Sequence, residues 1–63
     1  MTFTVKLAWE HDSDTSFKVN LEGKDYEILS TLMWITRGTL MASNATRATA
    51  YNEDGFEAVS YIK

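Results

Sequence analysis

Apolar and polar residues alternate at the start of the chain, with Phe3, Val5, Leu7 and Trp9 set against Thr2, Thr4, Lys6 and Glu10. That two-residue period predicts a strand with one buried face. The segment His11-Asp12-Ser13-Asp14-Thr15 is polar and turn-forming. Phe17, Val19 and Leu21 then resume the alternation against Lys18, Asn20 and Glu22, so the first two strands are expected to form an antiparallel hairpin.

The period changes after Gly23. Ile28, Leu29, Leu32, Met33, Thr36 and Leu40 recur at the three- and four-residue spacing of one helical face, whereas Glu27, Ser30, Thr31 and Arg37 fall elsewhere. The spacing predicts a helix beginning near Tyr26 with Asp25 as its N-cap, because a carboxylate there can accept from the unpaired donors of the first turn. Gly38 could either end this helix as a C-terminal cap or sit inside it at a cost of about 1 kcal/mol relative to alanine. Leu40 stays in phase beyond it, which carries the helix to about Ser43 with Asn44 as the stop.

Thr46 to Asn52 is composed of small and β-compatible residues, and Asn52-Glu53-Asp54-Gly55 is a compact turn. Beyond it Phe56, Ala58, Ser60 and Ile62 alternate with Glu57, Val59, Tyr61 and Lys63. A second hairpin is therefore expected, although both sides of its last strand carry apolar groups and the pattern leaves its buried face open. The elements amount to an α+β domain of order β-β-α-β-β spanning residues 1–63, with one amphipathic helix packed on a small antiparallel sheet of two hairpins.

Composition narrows what such a domain can use. A chain of 63 residues buries only about 60% of the surface it exposes when unfolded, which leaves room for a single core. With no cysteine, neither a disulfide framework nor thiolate zinc coordination can supplement that core. The longest apolar run, Leu32-Met33-Trp34-Ile35, is far shorter than the roughly 18 residues of a membrane span, and the first ten residues lack a basic segment followed by an apolar block. A cytoplasmic protein without membrane contact, beginning at its native Met1, is the expectation.

The formal net charge of −3 disfavours phosphate backbones, whose binding needs clustered Lys and Arg. Acidic residues gather at two turns, Glu10, Asp12 and Asp14 at one and Glu53, Asp54 and Glu57 at the other, with Glu22, Asp25 and Glu27 between. Turn chemistry accounts for them, and an acidic surface offered to a basic partner is the sharper alternative.

Candidate chemistry is sparse. His11, Asp12, Ser13, Asp14 and Ser16 include the residue types of a hydrolytic triad, but a short turn has no walls to exclude water or hold a substrate. The same stretch begins like a calcium loop and then departs from it, with Phe17 where glycine makes the bend and Gly23 where a bidentate glutamate belongs. No catalytic, cofactor or metal-ligating set is assigned. Tyr51 and Tyr61, near Arg47 and Lys63, are expected on one open sheet face, where aromatic rings beside cations could stack single-stranded bases.

The helix carries a stronger signal. At about 100° per residue, Trp34 and Met41 nearly superimpose, well away from the Ile28/Leu29/Leu32 stripe. Tryptophan and methionine are favoured interface anchors, and Ser30, Thr31 and Gly38 beside them are small enough for close approach. A partner-binding surface is thus expected at Trp34, Met41, Arg37 and Ser30, with the acidic turns at Asp12, Asp14 and Asp54 as secondary candidates. The partner is expected to be a protein, with a homodimer as one form of it; a nucleic-acid-binding regulator using Tyr51 and Tyr61 is the alternative. By composition alone, such a small, acidic, cysteine-free chain resembles the non-enzymatic products with which phages and mobile elements inhibit host machinery.

Overall fold

Phe3, Val5 and Leu7 share one face of the first strand and all three are buried, so the alternation at the N-terminus does specify a half-buried strand. The computed structural model describes residues 1–11 and 13–63. Its elements run β1 (Thr2–Ala8), β2 (Thr15–Asn20), α1 (Asp25–Ala42), β3 (Arg47–Tyr51) and β4 (Glu57–Ile62). All four strands form one antiparallel sheet of order β2-β1-β3-β4, which makes the fold α+β with the expected β-β-α-β-β order. The two hairpins join through β1 and β3, with Val5 opposite Ala50 and Leu7 opposite Ala48.

Helix α1 covers one face of this sheet and lies closest to β3 and β4. Ala48 and Ala50 point into the core from β3 and are fully buried, and their small side chains allow the helix to approach the strand backbone closely. Ile28 and Leu32 join Phe3, Val5 and Ala50 in one cluster; Leu40 joins Leu7, Ala45 and Ala48 in a second. Thr36 is the polar member of this seam. Its hydroxyl donates to the Leu32 carbonyl at 2.7 Å, which removes the penalty of burying it.

The helix phase differs from the expected one. Leu29 and Met33 are 46% and 42% exposed, while Ile28, Leu32, Thr36 and Leu40 are buried, with Ile35 and Thr39 half-buried beside them. The seam is rotated away from the Leu29/Met33 side because its other flank fills with Ile35, which packs against the cluster that Phe17, Val19 and Leu21 also join.

Lys24, not Asp25, is the N-cap, and its side chain makes no capping hydrogen bond. Asp25 sits inside the first turn with Glu27, where negative charge interacts favourably with the exposed backbone donors of the helix N-terminus. The helix does run through Gly38 and stops at Ala42, two residues before Asn44; Ser43 is the cap, its amide and hydroxyl both donating to the Leu40 carbonyl. The asparagine has another role, accepting from the Trp9 indole at 2.7 Å and tying β1 to the helix exit.

The open question at β4 resolves in favour of Val59 and Tyr61. These face the helix, opposite Ala50 and Ala48, whereas Phe56 and Ile62 are 70% and 73% exposed. A register shift at Ala50/Tyr51 brings Tyr51 opposite Glu57 and leaves Ala58 unpaired. In the preceding turn Gly55 takes φ +86°, a conformation that L side chains rarely adopt, and Asn52 accepts from the amides of Asp54 and Phe56. No helix among the described residues is long and apolar enough to cross a membrane.

Candidate protein-docking face

An 18-residue helix with one face on a sheet should be polar elsewhere. Helix α1 is not. Trp34 is 71% exposed, Met41 65% and Tyr26 69%, with Met33 alongside. At about 100° per residue these side chains surround a line that also carries Ser30 and Arg37, reaching from the helix flank beside β4 to the side away from the sheet.

The middle of this face is concave. Ser30, Met33, Trp34 and Arg37 line a groove of about 200 Å³, closed at one side by Tyr61 from β4. Four of the expected partner-binding residues are therefore together: Trp34, Arg37 and Ser30 in the groove, and Met41 continuing the stripe towards the helix C-terminus. Tyr61 is the member the sequence pattern did not supply. Its position follows from the pairing of Tyr61 with Ala48, which turns the ring to the helix side.

That placement corrects the expectation for the tyrosines. Tyr51 stands one residue beyond core-facing Ala50 and so points to the open face, while Tyr61 belongs to the helix face. The alternation of the two strands puts the rings on opposite sides of the sheet, so they make no shared platform for bases.

The acidic turns do not join the helix site either. Asp14 lies beside the end of β1 that pairs with the start of β3, and Asp54 lies in the turn at the far end of β3. Asp14 is engaged with Lys6, its carboxylate 3.0 Å from the ammonium. The hydrogen bond and charge of Asp14 raise the Lys6 pKa above its ordinary value. Asp54 is exposed and donates its amide within its own turn. Asp12 lies outside the described residues. His11 is exposed, with a Glu10 carboxylate oxygen 3.8 Å from its Nε2. Among the described residues no three metal-ligating side chains gather into a group that could hold an ion.

A second concavity of about 440 Å³ lies where β1, β3 and β4 end, lined by Trp9, Arg47, Ile62 and Lys63 among others. Lys63 is structural as well as exposed, because its ammonium donates to the carbonyls of Leu40 and Ser43 and closes the C-terminal end of α1. The two-residue period places Trp9 with the buried face of the first strand and Lys63 beside Tyr61, but it says nothing about contacts of either with the helix terminus.

Compared with known proteins, the chain matches no family model, no curated protein and no solved structure.

Proposed function

We propose that this chain is a non-enzymatic binding protein that modulates or inhibits another macromolecule by docking a polypeptide on the outward face of helix α1. The observation that carries the reading is the exposure of Trp34 and Met41 on a helix whose opposite side already satisfies the core. Apolar surface of this kind is favourable to cover, at about 25 cal/mol per Å². Contiguous exposed patches of this kind on small proteins mark interaction sites. Trp34 supplies the large anchor, Met33 and Met41 adapt to its surroundings, and Arg37 gives the groove a charged rim suited to a carboxylate. Ser30 keeps the middle of the face low, so a second backbone can come close.

The test is the double variant Trp34→Ser/Met41→Ser. Its circular dichroism and cooperative unfolding as a monomer should match the wild type, while polypeptide binding, read as self-association or as capture from lysate, should disappear. Wild-type binding should also persist as salt is raised, because apolar contacts do not share the steep salt dependence of phosphate contacts. A double variant that is unfolded as a monomer would place Trp34 in the folding core. One that folds and still binds would move the working surface elsewhere.

A further inference from the structure

We infer that the polypeptide docked at the groove is an extended segment added to the free edge of β4, with an apolar side chain in the groove and a carboxylate at Arg37. The inference rests on the docking reading above and adds the form and chemistry of the partner.

The hydrogen-bonding groups beside the groove specify this occupant. β4 lies at one edge of the sheet, paired with β3 on its inner side only. The amide of Lys63 donates to the Thr46 carbonyl, and Tyr61 and Val59 stand opposite Ala48 and Ala50. Backbone groups of an antiparallel strand point alternately to its two sides. Beyond the bulge at Ala58, Val59, Tyr61 and Lys63 are therefore directed at β3, and the amides and carbonyls of Ser60 and Ile62 are directed outwards. An extended backbone is the partner that matches such a row of alternating donors and acceptors.

The two edges of the sheet differ in how open they are to this. At β2, Met1 and Leu21 exchange both backbone hydrogen bonds, so the alternation directs Ser16, Lys18 and Asn20 outwards. A lysine in the middle of an edge discourages pairing with another strand. β4 has no such guard, because Ala58 to Ile62 carries no charge and Val59, Tyr61 and Ile62 favour extended structure. Ile62 is also 73% exposed on the face away from the helix, where a neighbouring strand would cover it.

The groove runs along this same edge. Tyr61 closes it opposite Met33 and Arg37. A residue paired with Tyr61 has its side chain on the helix side of the sheet, at the groove, and the residue paired with Ile62 points to the open face against that isoleucine. The residue paired with Lys63 returns to the helix side near Arg37, which is exposed and has no ion-pair partner among the described residues. A carboxylate at that position meets a cation. Helix α1 thus selects side chains while β4 supplies the backbone bonds, as in strand addition generally.

The probe is the capped peptide acetyl-Glu-Ile-Leu-Thr-Val-Thr-amide, titrated into the isotope-labelled full chain and followed by NMR. In antiparallel register its glutamate pairs with Lys63, its isoleucine with Ile62, its leucine with Tyr61 and its first threonine with Ser60. It should bind with a Kd below about 1 mM. Amide exchange at Ser60 and Ile62 should be fast in the free protein and slow in the complex, with Val59 and Tyr61 protected in both. Methylating the peptide's isoleucine nitrogen, which faces β4, should weaken binding about tenfold; methylating the leucine nitrogen, which faces away, should change it less than about threefold. Arg37→Glu should weaken binding about threefold, and a peptide with lysine in place of glutamate should recover it.

No saturable binding below about 1 mM, or equal losses from the two methylated peptides, overturns strand addition and leaves the docking face to the Trp34/Met41 test. Slow exchange at Ser60 and Ile62 in the peptide-free protein at the titration concentration would place a second copy on the edge and overturn the inference likewise. Affinity unmoved by Arg37→Glu overturns the carboxylate at Arg37. A peptide bound as tightly by Trp34→Ser/Met41→Ser as by the wild type has its leucine outside the groove, which overturns this inference and the docking reading together.

Discussion

Two neighbouring leucines on α1 offer a direct check on the rotation of the helix. Leu32 is 0% exposed and packs with Phe3, Val5, Ile28 and Ala50, whereas Leu29 is 46% exposed and only lines a surface concavity beside Phe3, Ile28 and Leu32. Replacing a fully enclosed leucine by alanine loses the transfer energy of the removed carbons and leaves a cavity, for a cost of about 2.7 to 5 kcal/mol. Full burial of a leucine side chain is worth about 1.5 to 3 kcal/mol, so a half-exposed one contributes about 1 kcal/mol and leaves no enclosed void. A domain of this size has a total stability of about 3 to 9 kcal/mol at 0.05 to 0.15 kcal/mol per residue. Leu32→Ala should therefore remove a third of the stability or more, lowering the thermal midpoint by over 10 °C or unfolding the chain, while Leu29→Ala shifts it by about 4 to 8 °C. Urea titration followed by far-ultraviolet circular dichroism, at concentrations low enough to keep the chain monomeric, reads both. Equal losses from the two variants would refute the observed phase and restore the one in which Leu29 and Leu32 face the sheet together.

Lys63→Ala should cost about 1 kcal/mol by stripping the ammonium from the Leu40 and Ser43 carbonyls, with amide exchange accelerating first in the last turn of α1; unchanged exchange there would count against the cap. Asp14→Asn should return the Lys6 pKa to its ordinary value, as read by NMR titration of the Lys6 side chain. Since the folded-state pKa is the raised one, the contribution of this pair is present in full below the unfolded value of 10.5 and is lost as pH rises through the folded value, so wild type and variant should converge in stability in strong alkali. Gly38→Ala should stabilise the monomer by about 0.5 to 1 kcal/mol, because a Cβ there meets nothing within 4 Å and the helix gains alanine's propensity; a lower melting temperature for the monomeric variant would show that the glycine serves the backbone.

The strands were legible because their period maps directly onto the two faces of a sheet, and Phe3, Val5 and Leu7 leave no ambiguity. β4 was not, since Val59 and Tyr61 compete with Phe56 and Ile62 for burial and only pairing with Ala48 and Ala50 decides between them. The same pairing separated Tyr51 from Tyr61. Spacing located α1 but misjudged its rotation, because Ile28, Leu29, Leu32, Met33 and Ile35 form an apolar band wider than the sheet can cover. Thr39 contributed to the error: it is half-buried beside Ile35, and its hydroxyl donates to the Ile35 carbonyl, so its polarity is hidden from the core. Asp25 was the better cap by residue type, but the turn at Gly23, with φ +132°, starts the helix one residue earlier.

The excess width of that apolar band is where fold and function separate in this chain. Had Trp34 and Met41 been needed to hold α1 on the sheet, the sheet would cover them; instead Ile28, Leu32, Thr36 and Leu40 do that work, and both larger residues stay largely exposed. An isolated helix of this length is marginal in water, so the sheet provides most of what keeps α1 formed. Fold stability therefore places little constraint on the outward face. Tyr26, Trp34 and Met41 are costly there for solubility and gain nothing from the core. Covering them with another polypeptide, as we propose, would take that apolar surface out of water.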